Sequence, residues 1–451
     1  MDAFPLRFLA TCLWLVALTS SASTSSTPEL SVEPFDSSGI YELGEKVGWT
    51  LALSAPASSG APAFTFTIKK NNFDVIAAGP LVFTNGRASI ETRLDDPALL
   101  YVEVQPAGST PTKDRAETPG RLVLGAAVAP GSIRPVEPTP DDFDEFWRSK
   151  IALLHEIPAN PVVSPGDSEV EGVDYATLTL DNIDGAQVYG QLARPANGEK
   201  FPAMLLLQWA GGPYPLQKSW VTDRAADGWL VLNIEPHDVP GDMPKEFYAA
   251  LPALIRRYNT IYDDDRDRNY FLQMYLGAYR AADYLTSRPD WNGEIFLVTG
   301  TSMGGQQSLA LCGLHPKPTH MIVHVPAGAE ANGNLFGRTA GYPNWASQNS
   351  RVAATARYFD TVNFAARIRA KSLVSMGFLD TVCPPVGIWA AFNQIPAAKE
   401  AVPLPLAAHN HQATAEQQRA FTDRDEAWRA ALVRGEEPQL LALTASAVAT
   451  N

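Results

Sequence analysis

The sequence predicts two folded units, a small immunoglobulin-like β-sandwich followed by a doubly wound α/β domain with a mainly parallel sheet. Apolar and polar residues alternate with period two over residues 28–128, which is typical of half-buried strands. Over residues 140–440, short continuous apolar runs alternate with helical stretches, which indicates buried parallel strands covered on both faces. A proline-rich linker at residues 129–139 separates the two patterns.

Composition excludes several classes of protein. The chain has 451 residues, of which 45% are hydrophobic and 19% charged, so it can bury a large core. Lys and Arg number 35 against 49 Asp and Glu, and the net charge of −14 argues against nucleic acid or an anionic membrane as a partner. Three widely separated cysteines exclude a disulfide scaffold and show no zinc spacing. No cofactor is expected.

Residues 1–23 have the order of a secretory signal. Arg7 precedes an apolar run over residues 8–18, and small polar residues follow, with cleavage expected near Ala22 or Ser23. A disordered tail is the alternative, and a lipoprotein box ending at Cys12 is disfavoured because almost no apolar stretch precedes it. No other segment is long enough to span a bilayer, so we expect a secreted or periplasmic protein.

Two cysteines, Cys312 and Cys383, remain after cleavage. An oxidising compartment would permit a disulfide between them. Each lies in an apolar local sequence, however, which favours two buried free thiols.

The β-sandwich prediction rests on alternating runs separated by turn residues. The turn signals are Asn71-Asn72 and Asn85-Gly86. The alternating side chains are Val47, Trp49, Leu51 and Leu53, then Phe64, Phe66 and Ile68, and later Leu100, Val102 and Val104.

The second unit is predicted to begin with a helix capped by Thr139 with Pro140 at its first position. A hairpin over residues 173–193 turns near residues 182–185, and the clearest helix spans about residues 269–286. The predicted core strands are residues 203–207, 229–234, 295–298, 321–325 and 373–374.

The most informative segment places Ser302 in Gly-x-Ser-x-Gly, between a buried strand and the helical stretch 306–314. A nucleophile elbow needs this strand–turn–helix context, and Gly300 and Gly304 leave room around the tight turn. Ser302 is therefore the predicted nucleophile; a serine that only caps the helix is the alternative.

A serine nucleophile needs a base and a group that orients the base, in the chain order Ser, acid, His. Asp380 follows a predicted strand by four residues and is the expected acid, although such an aspartate can also cap the next helix. Two histidines follow it, and we favour His411 over His409 as the base. The chain order disfavours the upstream histidines, among which His324 is expected in the core.

The oxyanion of an acyl-transfer reaction needs two backbone N–H donors. Met303, at the start of the helix after the nucleophile, is expected to supply one. The other should come from the loop after strand 203–207, where Trp209 is the first choice and Ala210 the second. A Gly-Gly turn without function is the alternative.

Together these segments resemble the acetyl xylan esterase and cephalosporin C deacetylase family, carbohydrate esterase family seven. The resemblance covers roughly residues 135–435, and Asp-x-x-Cys-Pro-Pro at residues 380–385 is its most specific piece. The other matching segments are residues 142–147, 279–285, 300–305, 358–364 and the loop of His411.

The resemblance implies an α/β-hydrolase that removes acetyl groups from short acetylated sugars through a serine triad, without metal. Carried over by position, that triad is Ser302, Asp380 and His411. Members often form hexamers, and the added N-terminal unit could alter that assembly, so a homo-oligomer is left open.

Three departures separate this chain from the family pattern. The family's Arg-Gly-Gln-Gly stretch is replaced by residues 233–238, the His-Glu pair is His411-Gln412, and the Gln after the nucleophile is Met303. Pocket shape and assembly are therefore expected to differ, whereas the chemistry of Ser302 survives.

Two other functions compete with a secreted carbohydrate esterase. A prolyl-oligopeptidase-like peptidase shares the triad order, but residues 28–128 are too short for a propeller and show no repeat near forty residues. A non-catalytic glycan-binding relative is the second alternative. The alternation of Trp49, Phe64 and Phe66 weakens it, because it puts these rings in a core and not on a binding surface.

Overall fold

The structure is a computed structural model that describes residues 30–54, 63–108 and 120–443. The expected signal segment, residues 1–23, and Cys12 lie outside the described residues. Among the described helices, none combines the length and apolarity needed to cross a bilayer.

Within residues 30–128, the described residues form two sheets around a shared apolar core. The strands are β1 Leu30–Pro34, β2 Ile40–Tyr41, β3 Val47–Leu53, β4 Phe64–Lys70, β5 Asp74–Pro80, β6 Arg87–Thr92, β7 Ala98–Pro106 and β8 Leu122–Val128. One sheet has the order β1-β3-β6 and the other β2-β8-β7-β4-β5. The alternating side chains of β3, β4 and β7 point into the space between them, as expected for period-two strands. Asn71 and Asn85 turn the chain in the left-handed conformation, with φ of 53° and 51°.

The described residues that follow, up to residue 443, build one nine-stranded sheet flanked by helices. Its strands are β9 Val162–Gly166, β10 Val173–Asp181, β11 Gln187–Pro195, β12 Phe201–Leu207, β13 Leu230–Ile234, β14 Trp291–Thr301, β15 His320–His324, β16 Lys371–Gly377 and β17 Lys399–Leu404. The helices are α1 Phe143–Glu156, α2 Ser219–Ala226, α3 Lys245–Ala250, α4 Tyr270–Ser287, α5 Met303–Leu314, α6 Ser350–Ala356, α7 Thr361–Ala365, α8 Pro385–Gln394 and α9 Ala415–Val433. Short 3₁₀ turns occupy Pro130–Ser132, Ile183–Gly185, Ala253–Thr260 and Gly333–Leu335.

The sheet order is β17-β16-β15-β14-β12-β13-β11-β10-β9. The strands from β12 to β17 pair in parallel, whereas β9, β10 and β11 join by antiparallel pairing. Each predicted apolar run overlaps one of the parallel strands, and the predicted hairpin is β10–β11. The carboxyl ends of the parallel strands therefore meet at one edge, where α/β proteins place their sites.

The first helix of this unit begins later than predicted, at Phe143 and not at Pro140. Thr139 does not cap it, because Asp142 occupies the N-cap position. The Thr139 hydroxyl donates to Asn363 Oδ1 at 2.8 Å. The proline-rich segment is hydrogen-bonded to α8: Asn393 Nδ2 donates to the carbonyls of Pro130 and Ile133 at 2.8 and 2.9 Å.

Candidate active site

Ser302 lies at the turn between β14 and α5, at the carboxyl edge of the sheet. Its φ of 56° and ψ of −118° are strained for a residue with a side chain. The turn is held by its neighbours: Ser302 N–H donates to the His324 carbonyl at 2.9 Å, and Ala327 N–H donates to the Ser302 carbonyl at 3.0 Å. The sequence prediction of a nucleophile elbow agrees with this local geometry.

The two motif glycines are required because the backbone passes too close for a side chain. A Cβ atom at Gly304 would lie 2.1 Å from the Leu207 carbonyl oxygen, and one at Gly300 would lie 2.3 Å from the Gly304 carbonyl carbon. Real Cβ atoms do not make such contacts, so the first turn of α5 packs directly on the end of β12.

Asp380 follows β16 and is buried, with 2% of its surface exposed. Its Oδ1 accepts the N–H groups of Val382 and Cys383, each at 2.8 Å. Its Oδ2 lies 2.7 Å from His409 Nδ1. The carboxylate is thus held in one orientation toward an imidazole, the position predicted for the acid.

The histidine between the two is His409, and the prediction of His411 is wrong. His409 Nε2 lies 2.9 Å from Ser302 Oγ, and the ring is buried with 2% exposed. His411 is exposed, and its ring centroid is 5.2 Å from that of His409. The structure brings Ser302, Asp380 and His409 together, in the chain order that the sequence predicted for the three residue types.

The path of the chain after β17 explains this difference. Ala407 N–H donates back to the Leu404 carbonyl at 3.1 Å, and Leu379 N–H donates to the Ala407 carbonyl at 3.0 Å. That turn binds the chain to the Asp380 loop just before His409. Gln412 N–H then donates to the His409 carbonyl at 2.7 Å, and this tight turn leaves His411 exposed. Closeness to the end of β17 is the sequence signal that could have identified His409.

The two expected oxyanion donors lie on segments that meet at the elbow. Met303 is the first residue of α5, so its N–H has no acceptor within the helix. Trp209 is the second residue after β12, and Gly304 packs against the residues directly before it. The assignment of the Met303 and Trp209 N–H groups as oxyanion donors stays a prediction. The same holds for Ala210, the second choice.

His237 supports the loop that carries Trp209, a contact that sequence reasoning missed. His237 Nε2 lies 3.1 Å from the Gly211 carbonyl, and Nδ1 lies 2.9 Å from the Tyr270 hydroxyl. Because a carbonyl only accepts, Nε2 carries the proton and Nδ1 accepts from Tyr270. Burial lowers the pKa of His237 to about 4, so the ring is neutral near pH 7. His237 lies within residues 233–238, the stretch that replaces the family's Arg-Gly-Gln-Gly pattern.

Cys383 lies beside the site, and the sequence did not indicate this. The potential ligand atoms of Asp380, Cys383 and His409 lie within 4.8 Å of one another. Asp380 and His409 already form a hydrogen bond with each other. A metal ion bound by all three residues would break that bond and disrupt the contacts that lead to Ser302. Burial raises the pKa of the Cys383 thiol well above its usual value. Cys383 and Cys312 are both buried free thiols, the favoured interpretation of the sequence.

Comparison with known proteins places this site in a family. The profile of the acetyl xylan esterase family matches residues 131–330 and 341–425. An acetyl esterase of Xylanibacter ruminicola is 27% identical over 379 residues, which cover 82% of this chain and 84% of that protein.

Two solved structures are similar in fold. The acetyl xylan esterase of a Paenibacillus species has 23% identity and a TM-score of 0.56, covering 66% of this chain and 98% of its own. Acetyl xylan esterase 1 of a Thermoanaerobacterium species has 21% identity and a TM-score of 0.56, covering 67% and 96%. The sheet of residues 162–404 thus has the α/β-hydrolase fold, as predicted. Since the family profile matches more than half of the chain, this protein belongs to the acetyl xylan esterase family and is a carboxylic ester hydrolase.

Proposed function

We propose that this protein is a secreted serine carbohydrate esterase that removes O-acetyl groups from acetylated oligo- or polysaccharides through an acetyl-serine intermediate. The observation that carries the proposal is the pair of contacts made by His409, 2.9 Å to Ser302 Oγ and 2.7 Å to Asp380 Oδ2. Family membership indicates the ester class of substrate.

In the first step His409 acts as the base. Asp380 accepts from Nδ1–H, which keeps the proton on that nitrogen and leaves Nε2 free to accept from the Ser302 hydroxyl. The Ser302 oxygen attacks the acetyl carbonyl carbon, and the N–H groups of Trp209 and Met303 stabilise the oxyanion. The bond to the sugar oxygen then breaks, and the sugar alcohol leaves with the proton from His409.

In the second step water attacks the acetyl-serine. His409 takes a proton from the water, and the same donors stabilise the second oxyanion. Collapse of the intermediate breaks the bond between the acyl carbon and Ser302 Oγ, which takes back the proton. Acetate leaves, and the enzyme returns to its starting state.

The N-terminal residues contribute two further proposals. Residues 1–23 direct export and are removed near Ala22 or Ser23, which N-terminal sequencing of exported protein would check. Residues 28–128 form an immunoglobulin-like domain, joined by residues 129–139 to the esterase domain at residues 140–440, and act as a wall beside the active site. Two sheets around one core support the first part, and the contact of Gly125 with Phe378, near Asp380, supports the second.

The decisive experiment measures acetate release by the mature chain and by its Ser302→Ala variant. The substrates are acetylated xylo-oligosaccharides, a monoacetylated sugar, an aryl acetate and a proline-containing peptide amide. Release from the sugars that falls by about 10⁴-fold in the variant would establish the proposed activity.

Other outcomes would favour the competing functions. Cleavage of the peptide amide without acetate release from sugars would indicate a peptidase. Absence of any hydrolysis by a folded protein that is retained on a polysaccharide gel would indicate a glycan-binding relative with an inactive site.

A further inference from the structure

A cavity of about 500 Å³ opens beside the loop that follows β12. One wall is formed by residues 212–215 of that loop. The opposite wall is formed by α3, through Lys245 and Tyr248, and by the 3₁₀ turn Ala253–Thr260, through Ile255 and Arg256. Its volume lies in the range of small-molecule binding sites, about 300–1,000 Å³.

The segments that form both walls contact the predicted oxyanion donors. Tyr214 donates its hydroxyl to the Trp209 carbonyl at 3.1 Å, and the two rings stack with centroids 5.7 Å apart. On the other side, the Tyr258 hydroxyl of the 3₁₀ turn lies 3.0 Å from Sδ of Met303, the residue after the nucleophile. These contacts connect the segments that wall the cavity to Trp209 and Met303, the two predicted oxyanion donors.

The walls offer flat apolar faces of the kind that pack against sugar rings. Tyr214 is half-buried between Pro213 and Pro215, and all three line the cavity. Trp209, five residues earlier in the same loop, does not line the cavity but stacks on Tyr214 and has 41% of its surface exposed. Rings with one apolar face and one polar edge are suited to ligands that carry both kinds of surface.

The charge of the cavity is opposite to that of the chain as a whole. The net charge is −14, yet the charged residues lining the cavity are Lys245 and Arg256, and no carboxylate lines it. Both are exposed, and among the ion pairs of the described residues none involves either of them. One guanidinium nitrogen of Arg256 donates to the Ala249 carbonyl at 3.1 Å, which leaves the remaining N–H groups for a ligand.

The nearby acids do not neutralise these cations. Asp242 and Glu246 are close to Lys245 in sequence but do not line the cavity. Glu235 is buried with 2% exposed and does not line the cavity, and its burial raises its pKa well above the usual value. An anion in the cavity would thus meet two cations and no opposing charge from the lining.

We propose that this cavity is a subsite for a carboxylate-bearing sugar, a uronic acid unit of the same acetylated oligosaccharide whose acetyl group lies at Ser302. Arg256 would bind the carboxylate through its planar N–H groups, Lys245 would add a second charge-assisted hydrogen bond, and Tyr214 would pack on the ring. The proposal rests on the carbohydrate esterase function proposed above.

The test compares two substrates that differ only in charge, an acetylated xylo-oligosaccharide with a glucuronic acid branch and the same oligosaccharide without it. The measured quantity is the ratio of kcat/KM for the branched substrate to kcat/KM for the neutral one. The variants are Lys245→Gln, Arg256→Gln and the double variant. Arg257→Gln is the matched control, because Arg257 is exposed in the same turn and does not line the cavity. Thermal unfolding checks that each variant is folded.

We expect the wild-type ratio to exceed one and to fall by about tenfold or more in the double variant, because both charge-assisted hydrogen bonds to the carboxylate are lost. High salt should lower the ratio in the wild type, and Arg257→Gln should leave it unchanged. Equal ratios in the wild type and the double variant would overturn the subsite while leaving the esterase function intact. Absence of acetate from both substrates would overturn the esterase function and the subsite with it.

Discussion

Gly125 of β8 lies directly against Phe378, two residues before Asp380. A Cβ atom at Gly125 would come within 2.8 Å of the Phe378 Cβ and within 2.9 Å of its carbonyl oxygen. The sheet of the N-terminal residues therefore packs on the loop that holds the acid of the triad. Absence of a side chain at position 125 lets the two backbones approach.

Replacing Gly125 should disturb that loop. We expect Gly125→Val to lower kcat for an aryl acetate by at least about tenfold, because a small shift of Asp380 misplaces His409. Overpacking should also cost about 1–3 kcal/mol of unfolding free energy, measured by urea denaturation. Gly131→Ala is the control, since a Cβ there meets no atom within 4 Å. Unchanged kcat in a folded Gly125→Val protein would contradict the supporting role of this contact.

The identity of the base can be tested with two neighbouring histidines. His409→Ala should lower kcat by about 10⁴-fold, because this ring contacts both Ser302 Oγ and Asp380 Oδ2. His411→Ala should change kcat by no more than about threefold, since that ring is exposed and makes neither contact. Steady-state kinetics on one aryl acetate compares the two, and the reverse ranking would restore His411 as the base.

His237 is a positioning residue whose effect should appear in kcat. His237→Ala removes the hydrogen bond to the Gly211 carbonyl and should lower kcat by about 10- to 100-fold with little change in KM, because the loop carries the predicted oxyanion donor Trp209. His237→Gln keeps an N–H donor and should recover most of the loss. The affinity of a boronic acid that forms a tetrahedral adduct on Ser302 should follow kcat. Equal losses in the Ala and Gln variants would show that the donor is not what matters.

His324 should make the folded state less stable as the pH falls. Burial lowers its pKa to about 4, below the ordinary value of 6.5, so the unfolded chain takes up the proton first. The stabilisation is therefore complete above about pH 6.5 and is lost as the pH falls toward 4.

The change is measured as urea unfolding at pH 7 and pH 5. Between pH 7 and pH 5 the unfolding free energy should fall in both proteins. The fall should be smaller in His324→Gln than in the wild type by about 2 kcal/mol. The buried acids are the same in both proteins, so their contribution to the pH dependence cancels in the difference. Equal losses in the two proteins would mean that His324 is not the titrating group.

The sequence by itself determined the parts of this protein that depend on neighbouring residues. The nucleophile turn at Ser302 is encoded within five residues, because Gly300 and Gly304 must lack side chains where the backbone folds sharply. Asp380 could be placed from the apolar strand before it, because loops after parallel strands gather at one edge of a sheet. The order of apolar runs and helices determined the α/β architecture for the same reason.

Only the tertiary structure decided which distant residues meet. His409 and His411 follow the same strand, and the choice between them depends on how the chain turns after Leu404 against the Asp380 loop. The contact of His237 with Gly211 joins residues on two different loops, and Gly125 meets Phe378 across 253 positions of the chain. Local periodicity carries no information about such pairs, because packing between separate elements sets their distances.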